Sequence, residues 1–513
     1  MKQSEHSPTP PVAPDHDVIV IGSGFSGLAM AYRLRRVGNE DFVILERGDS
    51  VGGTWRDNHY PGCACDIQSH LYSFSFAPNP EWSRMFARQD EIRDYLERCA
   101  TEVGARPHLR LGVNVTAVKL DEESGLWRVE VNGSRTLTAR VVISCMGGLS
   151  NPAYAEVPGL DRFRGPSFHS AEWDHSAELA GKRIAVIGTG ASAIQFVPEI
   201  APEAERLHVF QRTAPWVIPK RDRRIGRLER AIYRRFPSVQ RAYRRLIYWA
   251  LESRVVAFTA KPRILKLAGA VARLHIRRQI ADPELRRRVT PSYVMGCKRV
   301  LISNDYYPAL DRDDVELVTD AIARVTEDAV VTEGGREIPV DVIIHGTGFH
   351  VQDMLTGTSV QGRGGADLEA AWSEHGMQAH RGTAVAGFPN LFFLLGPNTG
   401  LGHNSIVHMI EAQAHYVTEA LRAMDRRGAW SAEPRPEAQA GFNAELQGML
   451  DGAVWSEGGC RSWYLDANGR NTTLWPDFTF RFREQTSRFD EREYVLAERP
   501  AVSGGVRELA AAA

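Results

Sequence analysis

Two kinds of apolar pattern alternate along the chain. Short unbroken runs have no polar face: DVIVI at 17–21, FVILE at 42–46, VVISC at 141–145, RIAVI at 183–187, RLHVF at 206–210, VIIH at 342–345 and LFFLL at 391–395. Runs of this length, rich in β-branched residues and stopped by polar or glycine-containing segments, predict parallel strands buried on both sides. Other stretches carry apolar residues every three or four positions. LAMAYRLRRVG follows the first run, SIVHMIEAQAHYVTEALRAM begins at Ser405, and RRIGRLERAIYRRF and VQRAYRRLIYWALESRVVAF lie between 223 and 258. These predict helices. Strand and helix in alternation indicate an α/β protein, here with two Rossmann-like dinucleotide-binding domains and a helical insertion in the second.

The two nucleotide sites come from glycine spacing placed between strand and helix. DVIVI enters GSGFSG, where Gly22, Gly24 and Gly27 keep the G-x-G-x-x-G order around Phe25 and Ser26, and the next strand ends at Glu46. The glycines let backbone and helix N-terminus approach a pyrophosphate, and the carboxylate accepts bonds from a ribose. RIAVI enters GTGASA in the same way, with Gly188, Thr189, Gly190, Ala191 and Ser192, and Ala193 in the third place. The strand after it ends in Gln211, Arg212 and Thr213 instead of an acid. An acid there would repel a 2′-phosphate, whereas a guanidinium grips it, so the second site is expected to take NADPH with Arg212 as selector. Two such sites imply one bound redox cofactor and one hydride donor. The first, with its acidic partner, suits FAD.

At 513 residues the chain exceeds what one core usually serves. The expected order is a flexible tail (1–16), a first FAD-binding part (17–149) and a first NADP-binding part (150–219). A helical basic insertion (220–288) and a second NADP-binding part (289–345) follow. A second FAD-binding part with a C-terminal lobe (346–500) and another flexible tail (501–513) complete it. A net charge of −1 gives no case for nucleic acid. No apolar stretch is long enough for a transmembrane segment, and the polar opening reads as a tail, not a signal peptide, so a cytoplasmic enzyme is expected. The six cysteines have no metal-binding spacing and are expected to be reduced thiols, with no metal site. The insertion holds 21 Lys/Arg against five Asp/Glu. A solvated basic surface over a packed helical layer is the favoured reading, and contact with a membrane surface the other.

Taken together, the chain resembles the flavin-dependent Baeyer–Villiger monooxygenases from 17 to about 494. The resemblance is most specific in GSGFSG, GGTWRDNHYPG, FRGPSFHSAEWD, GTGASA, GCKR and CRSWYLDANG. The family fingerprint falls on Phe163, Gly165, His169, Trp173 and Asp174; relatives that oxygenate nitrogen or sulfur usually end it differently, and such an activity is the alternative. The resemblance implies bound FAD, reduction by NADPH, and reaction with O2 to a C4a-peroxyflavin that converts a small-molecule ketone into an ester or lactone. NADP+ is expected to stay bound.

The resemblance also assigns residues. Arg299 of GCKR is the active-site arginine, and arginine suits that role because it is a permanent cation that does not donate its proton away near neutral pH. Asp66 is the carboxylate that holds it. Lys298 assists Arg212, and Trp463 reaches the nicotinamide ribose. Thr54, Trp55, Tyr60, Tyr72, Val115, Met146 and Gln195 belong to the cofactor pocket, Met146 within Cys145-Met146-Gly147, where the family usually has Ala-Thr-Gly. His169 belongs to the linker near the NADP domain and affects coupling between domains; it is not the base. A monomer or homodimer is expected.

Overall fold

The computed structural model describes residues 13–259, 263–352, 354–355, 357–460 and 462–500. The expected tails therefore lie outside the described residues over 1–12 and 501–513. The first tail ends earlier than expected: Asp15 is already tied down, its N–H donating to Thr138 Oγ1 at 3.0 Å and its carboxylate accepting from Thr138 N at 2.8 Å.

The first sheet contains β1 (His16–Ile21), β2 (Phe42–Glu46), β3 (Leu109–Leu111), β4 (Val115–Asp121), β5 (Leu126–Val131) and β6 (Arg135–Ser144). β3, β2, β1 and the end of β6 run parallel, while β4, β5 and the start of β6 form an antiparallel meander. Two strands from far along the chain complete it: Ser359–Gln361 beside β4 and Leu391–Phe393 beside β6. β6 explains how both halves fit. Near its end, Val142 and Ile143 have no solvent exposure and pair with Ile19 and Val20 of β1 on one side and with Leu391 and Phe392 on the other.

Between those halves lies an all-parallel sheet of β7 (Ser167–His169), β8 (Arg183–Ile187), β9 (Arg206–Phe210), β10 (Val315–Val318) and β11 (Val342–His345). Its order is β10-β9-β8-β11-β7. The fingerprint segment, expected as a linker, thus contributes the edge strand β7. A three-stranded antiparallel meander of Ile322–Val325, Ala329–Thr332 and Glu337–Pro339 stands where a crossover helix would be usual. The insertion is helical, with α3 (Arg227–Arg235), α4 (Pro237–Glu252), Val255–Thr259, α5 (Arg263–Gln279) and Pro283–Val289, numbered after α1 (Phe25–Arg36) and α2 (Ala193–Ile200). Among the described residues no helix is long and apolar enough to cross a membrane, and no cluster has the makings of a metal site.

The cysteines depart from expectation at one pair. Cys297 and Cys460 form a disulfide, while Cys63, Cys65, Cys99 and Cys145 are buried thiols. The loop that leaves the insertion packs on the C-terminal lobe and brings two distant cysteines to a Cα separation of 6.2 Å, within bonding reach.

Gly27 sits inside α1, and a Cβ there would lie 2.0 Å from the carbonyl oxygen of Gly22. Its role is to let the helix press against its own entry loop, not to touch a ligand. Gly27→Ala is therefore expected to lower the thermal midpoint by several degrees. Gly441→Ala, in the helix Pro436–Leu450 with nothing within 4 Å of the added carbon, is expected to leave the midpoint unchanged or raise it slightly. Differential scanning calorimetry of the two variants checks the contrast.

Candidate active site

A cavity of about 1720 Å³ runs between the two sheets. It exceeds the roughly 300–1,000 Å³ of an ordinary ligand pocket and has room for two dinucleotides. Every residue that the resemblance or the glycine spacing assigns to catalysis or cofactor binding lines it except Gly27 and Ala193, each in the third place of its glycine motif.

The strand ends build its two cradles. Gly22 follows β1 at φ +103°, and a side chain there would meet the Cys145 carbonyl at 2.7 Å. Gly188 follows β8 at φ +110°, with the Gly346 carbonyl 2.4 Å from the same hypothetical carbon. At both places only glycine lets the chain turn so close to the adjacent strand's backbone, and both turns line the cavity ahead of a helix N-terminus. This fits two pyrophosphate groups, and hence FAD and NADPH.

Glu46, at the end of β2, accepts four hydrogen bonds from the protein itself. Ser23 donates to its Oε2 from both N and Oγ, at 2.9 and 2.8 Å, and Gly48 N and Arg56 Nη1 donate to Oε1 at 2.8 and 2.6 Å. Burial opposes its ionisation, but the Gly48 N–H, Arg56 and Ser23 together hold its carboxyl below the ordinary range. Arg56 was not foreseen; its signal was a lone cation beside Asp57 in the TWRDN stretch.

The aromatic wall is formed by Trp55, whose Nε1 donates to Tyr72 OH at 3.0 Å, and by Phe25, whose ring centroid lies 5.1 Å from that of Tyr72. Gln195 in α2 joins the wall to the second sheet. It accepts from Tyr60 OH at 2.9 Å and donates to the Ala64 carbonyl at 3.0 Å. Gly62 permits the approach: a Cβ on it would lie 2.6 Å from the Gln195 carbonyl oxygen.

Arg299 and Asp66 meet within this junction. Nε and Nη2 of Arg299 donate to the same oxygen, Oδ2 of Asp66, at 2.7 and 2.5 Å. The Asp66 charge outweighs burial and holds the guanidinium pKa above its ordinary value. Tyr464 is a further neighbour that the sequence did not single out; burial pushes its phenol up to about 12. It follows Trp463, which is 43% exposed and packs on Tyr464 with centroids 4.4 Å apart.

Arg212 and Lys298 line the second cradle. Burial pushes the Lys298 amine down, and the positive charge of Arg212 adds to that. Two cations facing one space suit a doubly charged phosphate. Thr189 Oγ1 donates to the Thr213 carbonyl at 3.3 Å beside them. On the opposite wall Thr358 Oγ1 donates to the Val115 carbonyl at 3.1 Å and contacts Met146 Sδ at 4.0 Å.

The fingerprint residues do not line the cavity. His169 is fully buried in β7, its Nδ1 accepts from Ala171 N at 3.1 Å, and its ring lies 5.4 Å from Tyr154 and 5.8 Å from Phe349. Trp173 packs against Phe168 and against Phe196 of α2, both at 5.3 Å. Asp174 caps a turn, accepting from Ser176 N and Oγ at 2.8 and 2.6 Å.

A family model described as flavin-binding monooxygenase-like matches residues 15–262. The chain is 52% identical to a Baeyer–Villiger monooxygenase of Pseudomonas aeruginosa, over 98% of this chain and 96% of that one. Oxidised steroid monooxygenase bound to NADP is similar with a TM-score of 0.84 and 31% identity, covering 94% of this chain and 99% of that one. OTEMO in complex with FAD and NADP gives a TM-score of 0.85 at 28% identity, covering 95% and 100%.

Burial, with His169 beside it, pushes His345 from its ordinary 6.5 down to about 4. The unfolded chain takes up a proton near 6.5 that the folded imidazole refuses until about 4, so stability is full above that window and falls as pH drops through it. The thermal midpoint is expected to decline between those values, and the slope to flatten in His345→Asn.

Proposed function

The chain belongs to the Baeyer–Villiger monooxygenases, among the flavin-binding monooxygenase-like proteins, and on that premise we infer that it oxidises ketones to esters or lactones with NADPH and O2. The observation that carries the catalytic assignment is the Arg299–Asp66 pair at the junction of two dinucleotide cradles.

FAD is assigned to the first cradle, with Gly22, Gly24, Phe25, Ser26, Glu46, Thr54, Trp55, Tyr60, Tyr72, Val115 and Met146 around it. NADPH is assigned to the second, with Gly188, Thr189, Gly190, Ala191, Ser192, Gln195, Arg212, Thr213, Lys298 and Trp463. Bound flavin, reduced by NADPH, supplies the activated oxygen. The chain's own groups do the rest. Arg212 and Lys298 bind the 2′-phosphate, the aromatic wall excludes water, and Arg299 faces the charge that develops on the substrate carbonyl oxygen. Asp66 takes Nε and Nη2, so the Nη1 edge is the part of the guanidinium left for that oxygen. Such a preorganised donor stabilises an oxyanion without supplying a proton.

The division into FAD-binding parts at 17–149 and 346–500 around NADP-binding parts at 150–219 and 289–345 is proposed on the pairing of the two sheets. A monomer or homodimer is the proposed assembly. The cytoplasm is the proposed location on the buried thiols, with the Cys297–Cys460 bond as the feature that runs the other way.

Purified flavoprotein with NADPH and a panel of linear, cyclic and aryl ketones is expected to yield esters or lactones; N-oxides or sulfoxides alone would contradict the reading. Arg299→Ala is expected to retain flavin and NADPH binding while ester formation falls about a hundredfold or more. Arg212→Asp is expected to weaken NADPH far more than NADH, measured as the ratio of their KM values.

A further inference from the structure

The helical insertion contains one helix, α4, whose inward face mixes buried Ile247 and Leu251 with a row of polar side chains. On α4 the residues Gln240, Arg244, Tyr248 and Glu252 recur every four positions and face inward. Gln240 Nε2 donates to the Asn79 carbonyl at 2.7 Å, and Arg244 Nη1 donates to the carbonyls of His70, Leu71 and Ser73 at 2.8, 3.1 and 2.8 Å. Tyr248 OH meets Thr479 Oγ1 at 2.9 Å, and Glu252 accepts from Thr479 N and Oγ1 at 2.5 and 2.9 Å and from Asn404. This polar seam fixes the helix rotation. It leaves Val239, Leu246 and Trp249 pointing out, the last two 65% and 56% exposed, with exposed Arg241 and Arg245 among them.

The neighbouring helices repeat the outward apolar face. On α3 Leu228 is 76% exposed, followed by exposed Ile232 and then Phe236 at the turn into α4. On α5 Ile264, Leu267, Val271 and Leu274 form an exposed stripe at three- and four-residue spacing, bordered by exposed Lys266, Arg273, Arg277 and Arg278. A helix facing water alone carries its apolar residues inward. An exposed apolar patch with a basic border marks a contact surface.

We propose that the outward faces of α3, α4 and α5 dock on an anionic lipid surface. The aliphatic and indole side chains enter the headgroup–acyl boundary, and the arginines and lysines meet lipid phosphates. The charge on the segment selects this occupant. Its 21 Lys/Arg stand against five Asp/Glu, and among those Glu252 is buried while Asp222, Glu229 and Glu284 are paired with Arg84, Arg223, and Arg287 and Arg288. A second copy seated on the same face would set that excess of like charge against itself. With no spanning helix among the described residues, the contact lies in the plane of the surface. The inference does not depend on the reaction catalysed.

The full-length flavoprotein is mixed with phosphatidylglycerol vesicles, or with phosphatidylcholine vesicles, and the bound fraction is read after sedimentation. Binding to the first, much less to the second, and release by salt are expected. The pairs Leu246→Glu/Trp249→Glu and Leu267→Glu/Val271→Glu are each expected to lower the vesicle partition coefficient about tenfold or more. Neither pair lines the cavity, so flavin content, thermal midpoint and ketone turnover should stay as they are. Should a pair fold poorly, Arg241→Gln/Arg245→Gln gives the same reading through the charge. Three results would overturn the proposal: wild-type protein that ignores phosphatidylglycerol at low salt, binding that no variant lowers, or a wild-type dimer that the Leu246/Trp249 pair converts to monomer, which would give the face to a second copy.

Discussion

The ion pair between Arg299 and Asp66 is the constraint on which the site depends. Both side chains are only part-exposed, so each loses hydration that its partner must replace. Neither is placed by local structure alone. Asp66 lies in the irregular segment after β2, held to the second sheet by Gln195 through Tyr60 and Ala64. Arg299 lies on the loop leaving the helical insertion, two residues after a cysteine bonded to the C-terminal lobe. The pair forms where the flavin-side segment, the second nucleotide domain and the terminal lobe come together. A shift in any of them would part the cation from its anion.

The parts legible in the sequence are those whose physics is local. A strand buried on both faces must be apolar throughout, and RIAVI and DVIVI could be little else. A backbone that approaches a phosphate needs glycine at fixed spacing, which exposed both cradles and made Arg212 at the end of β9 meaningful. The proposed catalytic pair was legible through resemblance alone, since nothing near GCKR or CACD specifies that they touch. Gly27 was misread as a ligand contact because spacing does not distinguish a glycine that faces phosphate from one that faces its own helix entry. Arg56, Tyr464 and the Cys297–Cys460 bond depend on tertiary proximity and left little trace.

The insertion shows a different limit. Helical periodicity revealed helices, but a period of three to four residues does not say which face turns inward. The observed helix turns Gln240, Arg244, Tyr248 and Glu252 inward beside Ile247 and Leu251, because backbone carbonyls and Thr479 supply their partners, and leaves Leu246 and Trp249 outside. The fingerprint segment is similar in kind. His169 and Trp173 are recognisable as a pattern, yet their work is packing, at the edge of the second sheet and against α2, beside the segments where the chain passes between domains.

The most direct measurement of the central claim is the amount of ester formed per NADPH consumed in Asp66→Asn. This change keeps the shape of the side chain and removes the charge that holds Arg299. If the pair positions the arginine for oxygen insertion, the variant will still bind flavin and oxidise NADPH, but most of the reducing power will appear as hydrogen peroxide and the ester yield per NADPH will collapse. A ratio equal to that of the wild type would show that Arg299 needs no anionic partner, and would contradict the account.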